Sequence, residues 1–232
     1  MASKPSTAAQ RGRLTATIPR GAIPTHASPG PGVHPLGPGN RGGVLVVPRT
    51  YDATRAAPLL VFFHGAGADR NQGLAIIRDD AETLGAILLI PESQEGTWDF
   101  ILDEYGEDVA ALDEALKRTF TQFSIDPGRV AASGFSDGAS YALSLGLANG
   151  DLFSHVIAFS PGFAAPREMH GAPRLFISHS PTDRVLPISR TSRRLVPKFQ
   201  EAGYDVHYFE YEGGHQVPTE VRQEALRWFT GT

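Results

Sequence analysis

The run Gly134-Phe135-Ser136-Asp137-Gly138 sets a serine between two glycines, directly after Arg129-Val130-Ala131-Ala132-Ser133, which has the length and character of a buried strand. Small flanking residues let a chain pass from strand to helix so sharply that the hydroxyl stands out above the sheet. A serine held this way is a candidate nucleophile for acyl transfer. Alone its hydroxyl is a poor nucleophile, so the chemistry needs a base, an acid to orient that base, and donors for an oxyanion. Among eight histidines, His215 is the candidate base, because it follows the last predicted strand through Gly213-Gly214. An imidazole with an ordinary pKa of about 6.5 takes up and returns a proton in the neutral range. Asp183, in Pro181-Thr182-Asp183-Arg184, is the candidate orienting acid, although the same residues would also suit a simple turn. Asp205 is the weaker alternative, since it starts a strand and such sites gather at the carboxyl ends.

Oxyanion donors are expected from the backbone. One is the N–H of Asp137, at the start of the helix that follows Ser136; the other is that of Ala66, in the turn His64-Gly65-Ala66-Gly67. The positive end of the helix dipole acts in the same sense. The Asp137 carboxylate would oppose a developing negative charge, so it is expected to turn away and accept from the helix N-terminus. His64, His179 and His215 show no short ligand spacing, and no metal site is expected.

These residues need a scaffold, and short apolar runs alternating with amphipathic ones supply it. Residues 44–47, 59–63, 86–90, 130–133, 155–159, 174–178 and 205–211 read as strands with helices between them, which predicts βαβ units and a mainly parallel sheet. The clearest helix covers about 107–123, where Val109, Leu112, Leu116, Phe120 and Phe123 form one apolar stripe, with Asp113 and Lys117 as an exposed pair on another face. The elbow helix begins at Asp137 and ends near Asn149-Gly150, and Asp69 caps the helix after the His64 turn. Residues 1–13 are expected to be poorly ordered and residues 14–18 to form an edge strand. Residues 21–43, rich in Pro and Gly, are read as a loop or linker that cannot hold a helix or central strand. Residues 14–232 are read as one domain. The stretch between the strands at 155–159 and 174–178 is too short for a helical cap, so the site is expected to be open.

Composition narrows the function. With 232 residues, 41% hydrophobic and 20% charged, the chain is an ordinary globular one, and its net charge of −4 offers no basic field for nucleic acid. The absence of cysteine excludes disulfides, thiolate metal sites and a cysteine nucleophile. The first residues lack the run of about 7 to 15 apolar residues of a secretory signal, and no run approaches the ~20 that span a bilayer, so a cytoplasmic protein without a membrane span is expected.

His64-Gly65-Ala66-Gly67, Trp98-Asp99, Ile125-Asp126-Pro127-Gly128-Arg129-Val130, the Ser136 elbow, Asp183 before Val185-Leu186-Pro187, and Gly213-Gly214-His215 stand in that order from about residue 44 onward. In these segments the chain resembles a small serine esterase of the α/β-hydrolase superfamily. It is similar both to the carboxylesterase/phospholipase family that includes acyl-protein thioesterases and to poly(hydroxyalkanoate) depolymerase-like esterases. The resemblance implies an α/β-hydrolase fold without a large cap domain, a small-molecule ester substrate and no cofactor, and it places Trp98, Val185 and Leu186 around the acyl group. Asp137 stands where the thioesterase branch has Gln, and Ser180 where many relatives have Gly. Thioesterase, polyester depolymerase and peptidase activities share the same three residues, and a non-catalytic hydrolase-fold binding module is the rival of another class.

Overall fold

The computed structural model describes residues 7–19, 28–37, 42–102 and 104–231. In chain order its elements are α1 (Thr7–Gln10), β1 (Gly32–Pro35), β2 (Val44–Val47), β3 (Ala57–Phe63), α2 (Arg70–Leu84), β4 (Ile87–Ile90), α3 (Asp99–Leu102), α4 (Glu107–Gln122), β5 (Ile125–Phe135), α5 (Asp137–Ala148), β6 (His155–Phe159), β7 (Arg174–His179), α6 (Ser192–Glu201), β8 (Val206–Glu210) and α7 (Thr219–Thr230). The strands make a single sheet in the order β1-β2-β4-β3-β5-β6-β7-β8. From β4 to β8 every pairing is parallel, while β1 and β2 add an antiparallel edge.

A parallel sheet joined through helices is covered on both faces, so its central strands read as unbroken apolar runs. Leu59, Val61 and Phe63 of β3 point to one core, shared with α4, α5 and α6. Leu60 and Phe62 point to the other, which α2 and α7 close. The stripe on α4 packs as its spacing predicts, with Val109, Leu112, Leu116 and Phe120 all buried. This arrangement brings the carboxyl ends of β3, β5, β7 and β8 to one rim, where the candidate residues begin.

The amino-terminal region differs from its sequence reading. Residues 1–6 lie outside the described residues, but residues 7–13 form α1 and a turn, with Ala9 buried and Arg13 paired to Asp151 at 2.8 Å. Residues 14–18 are not a strand. Their backbone is held by side chains instead: Asn149 accepts from the Leu14 N–H at 2.9 Å, and Asp113 accepts from Thr15 and Ala16 at 2.7 and 2.8 Å. Asp113 is therefore a buried strap for this segment as well as the partner of Lys117 at 3.0 Å. Residues 20–27 and 38–41 of the Pro/Gly-rich stretch are outside the described residues; within it, β1 pairs with β2 at the sheet edge, where proline is tolerated. No helix among the described residues is long and apolar enough to cross a membrane.

Candidate active site

Ser136 leaves β5 and opens α5 with φ 58°, a left-handed backbone that a residue with a side chain adopts only under constraint. The two glycines around it are required by contact. A Cβ on Gly134 would lie 2.3 Å from the Gly138 carbonyl oxygen, and one on Gly138 would lie 2.1 Å from that of Phe63. Only bare backbone lets α5 start this close to β3, and the reward is a half-buried hydroxyl at the helix N-terminus.

Widely separated segments converge on that hydroxyl. His215 Nε2 lies 2.8 Å from Ser136 Oγ, and His215 Nδ1 lies 2.6 Å from Asp183 Oδ2. A carboxylate only accepts, so Nδ1 carries the proton and Nε2 is left to accept from the serine. The Asp183 side chain is fully buried, and its other oxygen accepts the N–H groups of Val185 and Leu186 at 2.8 and 2.9 Å. Burial alone would raise the Asp183 pKa, but the His215 N–H and these backbone donors outweigh it and hold the carboxyl below its ordinary value. Asp205 is elsewhere, paired with Arg174 at 2.7 Å before the start of β8.

Ser136 also meets the turn from β3. A Cβ on Gly65 would stand 3.5 Å from Ser136 Cβ, so this turn lies against the serine. The Gly67 N–H donates to Gly96 O at 2.7 Å and that of Ala68 to Gly65 O at 3.2 Å, while the Ala66 and Asp137 N–H groups meet no acceptor among the described residues. The Asp137 carboxylate accepts from the Thr97 hydroxyl at 3.0 Å rather than from the helix N-terminus. The arrangement presents an oriented hydroxyl, a base, and unspent N–H groups beside it.

Residues 38–190 match the family described as putative esterase. The chain belongs to that family. Probable feruloyl esterase C of Aspergillus flavus is 28% identical to this chain over 167 residues, or 67% of this chain and 59% of the relative; its counterpart in Aspergillus oryzae is 29% identical over the same span. The chain thus spans 59% of the length of those curated relatives. Among solved structures, esterase PE8 superposes with a TM-score of 0.67 at 22% identity, over 82% of this chain and 99% of that one, which bears on the fold. The fold is that of the α/β-hydrolase esterases, with a mostly parallel sheet and no helix in residues 160–173 between β6 and β7.

The residues assigned to the acyl pocket fare differently from one another. Trp98 is 1% exposed and lines no open surface. Its indole stacks on Tyr141 with ring centroids 4.9 Å apart and donates to the His64 carbonyl at 2.9 Å. It supports the turn of Ala66 from behind, which corrects the expectation. The loop that carries it is tied by Asp108, which accepts from Gln94 and Asp99. Val185 is 64% exposed at the rim, and Leu186 lies beside Gly162.

Further supports of this site were not singled out from the sequence. The hydroxyls of Ser180 and Thr182 both donate to the Gly213 carbonyl, and Tyr211 donates to that of Gln216 at 2.5 Å, so the His215 loop is pinned on either side. Ser140, one turn after Ser136, accepts the Gly162 N–H at 2.9 Å and fixes the loop that carries Phe163. His64 Nδ1 donates to the Gly65 carbonyl at 2.9 Å while Nε2 accepts from Ser93, so His64 locks its own turn. No group of three His, Cys, Asp or Glu among the described residues could hold a metal ion.

Proposed function

We propose that this chain is a serine carboxylesterase that hydrolyses small to medium acyl esters through an acyl-enzyme on Ser136. The observation that carries the reading is the continuous hydrogen-bonded line from Asp183 through His215 to Ser136, at 2.6 and 2.8 Å. Ser136 Oγ bonds to the ester carbonyl carbon as its proton passes to His215 Nε2. The carbonyl oxygen becomes an oxyanion held by the N–H groups of Ala66 and Asp137. The bond to the alcohol oxygen then breaks, and that oxygen takes the proton from His215. Water attacks the acyl-enzyme by the same route, its proton going to His215 and then to Ser136 Oγ as the acid leaves. The Asp183 charge stabilises the imidazolium at each transfer.

The test is Ser136→Ala assayed on p-nitrophenyl esters, with turnover expected to fall on the order of a million-fold and the thermal melt preserved. Activity above a few per cent would end the assignment. A second reading, an esterase for feruloyl groups, is favoured by the names of the curated relatives and by Phe163. Phe163 is 37% exposed, its ring stands 5.8 Å from that of Phe100, and its backbone N–H donates to the Ser140 hydroxyl, one turn after Ser136. Acetyl, butyryl and feruloyl esters of one alcohol separate the two readings, and matched oxygen and sulfur esters test the thioesterase alternative.

A further inference from the structure

His179, the last residue of β7, is completely buried, and the reaction as written leaves it unused. Its two ring nitrogens meet different chemistry. Nε2 faces atoms that can only accept, the Leu186 carbonyl at 2.8 Å and Asp183 Oδ2 at 3.3 Å. Nδ1 lies 2.7 Å from the hydroxyl of Ser192, the buried first residue of α6. These partners fix the proton on Nε2 and leave Nδ1 to accept from Ser192. Burial keeps the His179 pKa below its ordinary value, so the ring stays a neutral donor and adds no second cation next to His215.

The contacts close a ring. Leu186 gives its N–H to Asp183 Oδ1 and receives the His179 N–H on its carbonyl, while Asp183 Oδ2 sits between the two imidazoles. The turn of residues 183–186 is thereby fastened to β7 and, through Ser192, to α6. Without the Nε2–H the Leu186 carbonyl would lose its donor, and the turn that brings the Val185 and Leu186 N–H groups to Asp183 Oδ1 would lose its tie to β7. We propose that His179 is a positioning residue of the reaction, whose Nε2–H clamps this turn and sets the direction in which Asp183 meets His215. The inference rests on the assignment of Asp183 and His215 made above.

The test compares kcat and KM for His179→Gln, whose amide N–H reaches the place of Nε2, and His179→Phe, which fills the volume without a donor. Small misplacements of reacting groups cost up to about 100-fold in rate, so His179→Phe is expected to lower kcat about 10- to 100-fold with KM unchanged. His179→Gln is expected to recover most of the loss. The acid limb of the kcat/KM profile should also move to higher pH in His179→Phe, because Asp183 loses the Nε2–H dipole 3.3 Å from Oδ2 and holds the protonated base more tightly. The titratable and charged groups facing His179 are Asp183, His215, and Glu210 across from it on β8, itself paired with Arg193 of α6 at 2.7 Å. Equal kcat in the Gln and Phe variants, or a change in KM alone, overturns the proposal. If His179→Phe does not fold, His179→Asn replaces it: its shorter amide cannot reach Leu186 O, so a kcat equal to that of the Gln variant is again the contrary result. Ser136→Ala run alongside separates the failures. Turnover surviving that change removes the underlying assignment; turnover lost there but uniform across the His179 series removes only this inference.

Discussion

Two buried histidines stand at opposite ends of the sheet. His179 closes β7 at the carboxyl rim, and His155 opens β6 at the amino end. Desolvation lowers the pKa of both, His155 to about 4. Their surroundings diverge. His155 meets Trp228 and Phe229 on α7 in T-shaped pairs, with centroids 5.0 and 5.1 Å away, and its hydrogen-bonding partner among the described residues is the adjacent Ser154 hydroxyl. Both nitrogens of His179 meet partners that specify a tautomer and lead to Asp183. At the amino end a histidine can serve as packing. Where parallel strands stop, backbone carbonyls and N–H groups become available to side chains, and the same residue type becomes part of a machine with direction.

Changes at the rim should therefore cost rate and spare stability, and changes at the amino end should do the reverse. The largest effect within that contrast, after Ser136→Ala, is expected for Asp183→Asn. An amide would offer its own N–H to His215 Nδ1 and force the wrong tautomer, lowering kcat on the order of 10,000-fold with little change in melting temperature. Steady-state kinetics beside a thermal melt checks it, and a loss under tenfold would place the orienting role elsewhere. A smaller loss is expected for Trp98→Phe. The ring stack on Tyr141 survives, but the His64 carbonyl loses its donor and the Ala66 turn loosens, for roughly a tenfold fall in kcat. Unchanged kcat would show that the turn is held without the indole.

The smallest effect on rate belongs to His155→Phe, with kcat expected within about twofold of the parent, and here the stability readout carries the contrast. The folded protein depresses the His155 pKa from 6.5 to about 4, so the fold favours the neutral ring. That contribution is complete above about pH 6.5 and is lost as pH falls toward 4. Urea melts from pH 7 down to pH 4 should show a shallower decline in the variant than in the parent. Parallel declines would contradict the assigned cause.

Much of this was legible before any coordinates. The strands from β2 to β7 follow directly from apolar runs that the structure buries, β8 is a half-buried edge strand, and α4 follows from the stripe of Val109, Leu112, Leu116 and Phe120. The convergence of Ser136, Asp183 and His215 was readable because each sits just past a strand end, where parallel topology gathers residues. What escaped depended on contacts that local patterning does not encode. Residues 14–18 look like a strand, yet their N–H groups go to Asp113 and Asn149, far along the chain. Trp98 carries the same letter whether it lines a pocket or backs a turn; only its 1% exposure and the bond to His64 decide. His179 was weighed only as a metal ligand, although its position four residues before Asp183, at the end of a strand, was already a sign that it faces the same rim.

The most direct test of the central claim is peptide mass spectrometry after labelling with a fluorophosphonate, comparing the parent with His215→Ala. The account predicts a single adduct on the Ser136 hydroxyl, formed in the parent and suppressed by removal of the imidazole. An adduct on another residue, or ester hydrolysis that continues with Ser136 unlabelled, would contradict it.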